Sequence, residues 1–192
     1  MLKFAITIKG TMPMLMHSSR LADPLDPATI ELKKASSKRT KTGDDYEAVA
    51  RAEFLGSLYI DGDIGPYIPG ENVAASLLEG AKLNKLGVKV KRGLLVTTDV
   101  NPLSYKGPRD AAGLWEDKNF VHRASVKVST SRVVRTRPIF RDWSTEVEGL
   151  LDESQLELRD LEQIAANAGD FIGLGDWRPR FGRFEATVRA IK

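Results

Sequence analysis

Hydrophobic and polar residues alternate at both ends of the chain, and this period-two pattern constrains the fold more than any other feature. The alternating apolar positions are Leu2, Phe4, Ile6 and Ile8 near the start and Phe184, Ala186, Val188 and Ala190 near the end. Alternation of this kind predicts strands that bury one face, which is typical of antiparallel sheets. We therefore expect the two ends of the chain to contribute strands.

Helical spacing separates these strands. Apolar residues recur at helical intervals over 71–83 and again over 155–168, where Ser154 and Glu157 suggest a capping box. Shorter strand patterns lie at 57–60, 66–68 and 145–151, and a strand pair is expected around Gly93. Runs of strands with few helices favour an α+β fold, with an antiparallel sheet that carries helices on one face.

Two segments lack periodicity and are expected to be long loops. Residues 18–43 contain two prolines and many lysines and serines, and they predict a flexible basic loop with a short helix at 28–35. Residues 101–120 are rich in proline and glycine, and 101–141 as a whole is interpreted as an inserted loop or hairpin. The 192 residues fit one domain, 1–192.

Composition excludes several kinds of chemistry. The chain has no Cys and two His, which rules out disulfides, Cys-ligated zinc and thiol nucleophiles and disfavours a metal site. Neither a phosphate-binding Walker loop nor a dinucleotide fingerprint occurs, so no cofactor is expected. The N-terminal residues match neither a signal peptide nor a membrane span, and the expectation is a soluble, cytoplasmic protein without a membrane partner.

Charge is segregated along the chain although the net charge is only +3. Seven cations and no acid lie between residues 118 and 141, whereas 143–170 holds eight acids and one Arg. Such segregation creates a local positive field, for which phosphate is the usual partner. If 124–141 is a strand, period-two spacing places Lys127, Arg135, Arg137 and Arg141 on one surface. Arg132 then falls on the other side unless the strand bends.

A glycine- and arginine-rich segment, IGLGDWRPRFGRF, occupies residues 172–184. Glycines permit close backbone approach, and exposed amides beside guanidinium groups can form an anion cradle. Trp177 and Phe181 could stack on bases. The candidate nucleic-acid-binding residues are Lys127, Arg132, Arg135, Arg137, Arg141, Gly173, Gly175, Arg178, Arg180, Gly182 and Arg183.

The order of helix, glycine-rich turn and final strand resembles the RAMP superfamily, the RNA-binding proteins that build CRISPR effector complexes. The segment YIPGENVAASLLEGAKL at 67–83 is similar to that family's strand, Pro-Gly and helix element, and Leu15–His17 resembles the end of its first strand. Departures include Asn72, the pair Ala74–Ala75 and the inserted Asp-Trp-Arg-Pro. A stand-alone or phage-borne relative is as plausible as a CRISPR subunit.

The resemblance implies an RRM-like, ferredoxin-like core with a thumb-like insertion. It also implies binding of single-stranded guide RNA without sequence reading, by a subunit that forms homo-oligomers or joins a ribonucleoprotein complex. Three alternatives stay open: a single-stranded DNA-binding or recombination protein, a structural assembly subunit, and a metal-dependent ribonuclease. The ribonuclease would use Asp23 or Asp26, each of which precedes a proline and is more often a turn former.

Overall fold

The computed structural model describes the backbone of residues 1–192 and every side chain except that of Val128. The chain forms a mixed α+β structure with antiparallel sheets, which confirms the expected fold class. The strands are β1 (Leu2–Gly10), β2 (Met14–Leu15), β3 (Ile60–Asp61), β4 (Gly65–Pro69), β5 (Leu94–Val96), β6 (Val100–Pro102), β7 (Val121–Val128), β8 (Ser131–Phe140), β9 (Ser144–Leu151) and β10 (Phe184–Ile191). The helices are α1 (Pro27–Ser36), α2 (Gly43–Ser57), α3 (Gly70–Leu83), α4 (Gly87–Gly93), α5 (Ala111–Glu116) and α6 (Leu158–Asn167).

The main sheet has four strands in the order β10-β1-β9-β5, and every neighbouring pair is antiparallel. The expected terminal strands therefore pair directly, with Ile6 opposite Val188 on one side and Val147 on the other. Phe4, Ile6 and Ile8 are buried because alternate residues of β1 point to the same, covered face.

Helices α3 and α6 supply the other half of this core. Leu77 of α3 and Leu161 of α6 are both buried in the same hydrophobic cluster as Phe4. The two helices approach closely at Gly80, where a Cβ would lie 2.8 Å from the backbone nitrogen of Ala168. A side chain at this position would push the helices apart.

The opposite face of the main sheet is exposed but is not a cationic surface. Glu146 accepts a hydrogen bond from Thr7 and forms an ion pair with Arg189 at 2.8 Å. Glu148 on β9 is also exposed. Acids and bases alternate here, so the concentrated positive charge of the chain lies elsewhere.

Two smaller sheets flank the main one. Strands β2, β8 and β7 form the first, and β3, β4 and β6 form the second. β2 continues from β1 after a bend beyond Gly10. It pairs through Met14 with Phe140 of β8. The bend therefore passes the chain from the main sheet to the base of the β7–β8 hairpin.

Several local predictions were wrong. The segment before Gly93 is helix α4, whose Val90 is buried while Val88 is exposed, so tertiary packing overrides a short alternating pattern. Helix α6 is capped by Glu157, which forms its capping box with Asp160 rather than with Ser154. The short helix expected at 28–35 is present as α1, but the predicted loop at 101–120 contains α5 and most of β6.

None of the helices in the part of the chain that the structure describes combines the length and the hydrophobicity that a membrane span requires.

Replacing Leu161 by alanine tests the packing of α6. This side chain is fully buried, and its truncation should lower the free energy of unfolding by about 2–5 kcal/mol. Leu83→Ala is the matched control, because Leu83 is 54% exposed and should change stability by less than about 0.5 kcal/mol. Equal effects of the two substitutions in urea denaturation would contradict the described core.

Candidate nucleic-acid interface

A cleft of about 620 Å³ lies between the β7–β8 hairpin, the chain just after β2 and the glycine- and arginine-rich segment 172–184, which we call the glycine-rich turn. Three separate parts of the sequence meet there. Its walls are formed by Leu15, His17, His122, Ala124, Ser125, Val126, Lys127, Arg132, Arg135, Arg137, Asp176 and Trp177. Four of the predicted cations therefore line one cleft, beside one end of the glycine-rich turn.

The hairpin register differs from the single strand considered for residues 124–141. The chain turns at Ser129–Thr130, and Lys127 pairs with Arg132 whereas His122 pairs with Arg137. Paired residues share a face and neighbouring residues alternate. By register, Lys127 and Arg132 belong to one face of the hairpin and Arg135 and Arg137 to the other, so the expectation that one strand face carries Lys127, Arg135 and Arg137 was wrong, although all four residues line the cleft.

A buried carboxylate attaches the hairpin to helix α2. Glu53 is 4% exposed and accepts hydrogen bonds from the backbone amide of Thr136 at 2.8 Å, from Arg137 at 2.8 Å and from Arg135 at 3.1 Å. One carboxylate thus receives three donors from β8. A buried charge is tolerated only when it is paired and hydrogen-bonded in this way.

Asp176 connects the glycine-rich turn to the same hairpin. Its carboxylate accepts from Arg137 Nε at 3.1 Å, and its backbone amide donates to the Leu15 carbonyl at 2.8 Å. Because Arg137 lies between Glu53 and Asp176 and its side chain is 11% exposed, its role is to hold the cleft walls together. We do not expect it to reach a ligand freely.

Lys127 and Arg132 are the cations best placed to meet an anion. Both are exposed near the end of the hairpin. Among the described side chains neither has a carboxylate within ion-pair distance. Arg135 is only partly available to an anion, because it forms an ion pair with Glu53 although its side chain is 43% exposed. The cleft therefore keeps free positive charge after its internal ion pairs are formed.

Two glycines of the turn use their backbone amides in hydrogen bonds within the protein. The amides of Gly173 and Gly182 donate to the carbonyls of Ala168 and Pro13, at 2.7 and 2.8 Å. Gly182 has φ +76°, and a methyl group there would overlap the Leu174 carbonyl oxygen. Gly175 has φ +80° and packs against the Leu15 carbonyl. An anion cradle made of the Gly173 and Gly182 amides is therefore excluded, and the turn's arginines remain as its cationic groups.

The remaining predicted arginines lie outside the lining of the cleft. Arg180 stands over the Trp177 ring at 5.6 Å, and Arg141 donates to the Asn119 carbonyl at 2.6 Å. Arg183 donates to the Pro179 carbonyl at 3.0 Å. Arg178, whose guanidinium is 3.5 Å from the Gly173 carbonyl, lines an adjacent depression. Of the predicted cations, those that line the cleft all belong to the hairpin. Arg141 and Arg180 lie outside this lining, but their charges lower the pKa of His122.

Three rings form an aromatic cluster at the edge of the cleft. Trp177 and Phe181 stack with ring centroids 5.7 Å apart, and His122 lies 5.5 Å from Phe181. Trp177 is 42% exposed and has φ +59°, an uncommon conformation for a bulky residue that is often found at functional sites. The cleft therefore offers an aromatic surface beside its cations.

Both histidines of the chain line the cleft and resist protonation. Burial, reinforced by the charges of Arg141 and Arg180, lowers the pKa of His122. Partial burial and the charge of Arg137 lower the pKa of His17. The His122 Nε2 atom is buried without a hydrogen-bond partner among the described atoms. Both rings are therefore expected to be neutral at pH 7.

Asp23 and Asp26 perform local structural tasks. Asp26 caps α1 by accepting from the Ala28 amide at 2.8 Å, and its ion pair with Arg20, the largest cause, lowers the pKa of this carboxyl. Asp23 accepts from the Leu25 amide at 2.9 Å. Among the residues that the structure describes, no three His, Asp or Glu side chains form a group that could hold a metal ion.

The chain matches no protein-family model, and no curated protein matches it.

Glu53 and Asp176 are the important residues that sequence reasoning missed. A weak signal for Glu53 exists, because it lies between Ala52 and Phe54 and four residues before Ser57, on a helix face that turns out to be buried. Nothing local indicates its partners, which are more than eighty residues away.

Replacing Glu53 by glutamine tests the attachment of the hairpin. The variant leaves Arg137 buried beside a neutral amide and should lower the free energy of unfolding by about 3 kcal/mol, the lower end for a broken buried ion pair because Arg135 is partly exposed. Glu47→Gln on the exposed face of the same helix is the control. Urea denaturation that gives the two variants the same stability would contradict the described attachment.

The unpartnered His122 predicts acid sensitivity. Because its pKa is lower in the folded chain than the ordinary 6.5, the unfolded chain binds the proton more readily, and folding stability falls as pH drops below 6.5. His122→Phe should show a smaller loss of stability between pH 7.5 and 5.5, about the range in which free histidine titrates. Identical pH dependence of the two proteins in thermal denaturation would contradict this assignment.

Proposed function

We propose that this protein binds single-stranded RNA in the cleft, through phosphate contacts and base stacking and without reading sequence. The observation that carries the proposal is that Lys127 and Arg132, free of carboxylate partners among the described side chains, line the same cleft as Trp177. Cations supply sequence-independent affinity for the nucleic-acid backbone. Aromatic rings accept any base, because every base has a π face.

A single strand suits this cleft better than a duplex. Base faces are hidden in a double helix and are free in a single strand. The exposed part of Trp177 lies at the cleft edge, within reach of an unpaired base from a strand that follows the cations. Single-stranded binding sites commonly combine a cationic groove with aromatic platforms.

The strand order supports a ferredoxin-like core and, through it, the RAMP resemblance. Counting only the main sheet, β1, β5, β9 and β10 occur along the chain with α3 after the first strand and α6 after the third. A βαββαβ arrangement of this kind is the ferredoxin-like motif. The β7–β8 hairpin is then an insertion between the second and third strands, which corresponds to the expected thumb.

Assembly along the strand is part of the proposal. A protein that binds the backbone without sequence preference can occupy successive segments of one RNA, and segregated charge favours contacts between neighbouring copies. The acidic residues Glu157, Asp160 and Glu162 lie on and beside α6, whereas the free cations lie on the hairpin. Light scattering should show larger particles when RNA is added. Salt-sensitive oligomers that ignore RNA would instead favour a purely structural assembly subunit.

The alternatives make different demands on the site. A ribonuclease using Asp23 or Asp26 has little support, because both carboxylates are engaged in turn and cap hydrogen bonds. Single-stranded DNA would meet the same cations and rings, and it differs from RNA by lacking the 2′-hydroxyl. Competition between RNA and DNA oligomers of one sequence therefore decides between these two ligands.

Removing the two free cations tests the proposed site. The double variant Lys127→Ala and Arg132→Ala should weaken RNA binding and reduce the slope of log K against log salt by about 1.4, at about 0.7 per phosphate contact on a single strand. Stability should change little, since both residues are exposed. Filter binding over a salt series measures the slope.

The control is the charge-matched variant Lys89→Ala and Arg92→Ala on α4, which lies outside the cleft lining. Its salt slope should remain that of the wild-type protein. Equal losses in both variants would show that RNA binding does not depend on the cleft. Failure of the wild-type protein to bind single strands at low salt would end the proposal.

A further inference from the structure

A second depression lies directly beyond the cleft. It has a volume of about 500 Å³, and Asp176 and Trp177 line it as well as the cleft. Phe171, Arg178, Pro179 and Ile172 form most of its remaining wall. Trp177 therefore stands on the boundary between two adjoining hollows, and a chain molecule lying in one can continue into the other.

Phe171 presents an aromatic ring to this depression from a fixed position. It follows α6 in a π-helical turn, Ala168–Ile172, and is 60% exposed. The turn is anchored on both sides, because Ala168 and Gly169 are buried and the Gly173 carbonyl accepts from the buried Ser76 hydroxyl at 2.9 Å. Single-turn π-helices occur frequently at functional sites. Phe171 and Trp177 are both exposed and line the same depression, so two aromatic rings are accessible to a ligand there.

The charged groups around the depression favour a nucleotide as that ligand. Arg178 reaches only a weak contact at 3.5 Å with the Gly173 carbonyl, which leaves guanidinium donors free. The two acids in its wall are both paired, Glu79 with Lys82 and Asp176 with Arg137. Two rings and a guanidinium group match a base and its phosphate. A second copy of the protein is a less suitable occupant, because charged side chains interrupt the apolar surface.

We infer that this depression is a second base-stacking subsite, in which Phe171 stacks on a base of the same strand after that strand has passed over Trp177. The inference rests on the proposed binding of RNA in the cleft and extends it by naming the path of the strand. Phe171 was not among the residues that the sequence suggested. Arg178, which lies outside the cleft, receives a role as the phosphate contact of this subsite.

The test compares two ligands of equal charge on two variants. One ligand is an oligouridylate of about 16 nucleotides, long enough to cover a typical single-strand site, and the other is a ribose-phosphate oligomer of the same length without bases. Phe171→Ala should bind the oligouridylate about tenfold more weakly, the loss expected for one stacked base. Its affinity for the base-free oligomer should equal that of the wild-type protein. Phe171→Trp should restore binding of the oligouridylate.

Leu83→Ala is the matched control, since Leu83 is another exposed apolar residue, 54% accessible, outside both hollows. A Phe171→Ala variant that loses affinity for both ligands equally has lost structure rather than stacking, and this result would overturn the inference. Unchanged binding of both ligands by Phe171→Ala would also overturn the inference. In that case, salt-dependent RNA binding by the wild-type protein would still support the cleft proposal. A change in oligomeric state without RNA would identify the patch as a contact between copies. No binding by the wild-type protein would remove both proposals.

Discussion

The buried carboxylate of Glu53 is the interaction on which the candidate site depends. It joins α2 to β8 through a backbone amide and two guanidinium groups, and Arg137 extends the connection to Asp176 in the glycine-rich turn. A charge at 4% exposure is costly unless it is fully paired. Two of the cations that line the cleft, Arg135 and Arg137, thus hold its three walls together.

This division of labour explains why the cleft remains positive. Arg137 forms ion pairs with two carboxylates and Arg135 with one. Lys127 and Arg132 lie farther out on the hairpin, and neither has a carboxylate partner among the described side chains. Arginines with and without a described carboxylate partner are therefore neighbours on one strand. A similar division occurs among the aromatic residues, where Phe181 stacks on Trp177 while part of the indole stays exposed.

Sequence reasoning succeeded where local pattern determines structure. The strands at the two ends follow from their alternation, and α3 follows from helical spacing after Pro69. It could not separate Arg137 from Arg132, because the difference lies in a partner on α2 far away along the chain. It suggested an open glycine cradle where the Gly173 and Gly182 amides bond to backbone carbonyls. Period two also could not reveal the turn at Ser129–Thr130, which moves Lys127 and Arg135 to different hairpin faces.

Photo-crosslinking tests the central claim most directly. The protein would be irradiated with an RNA that carries 4-thiouridine, and the crosslinked peptides would be identified by mass spectrometry. The account predicts crosslinks in the β7–β8 hairpin and in the segment from Phe171 to Phe181. Crosslinks confined to the lysine-rich helices α1 and α4, or to the exposed face of the main sheet, would contradict it.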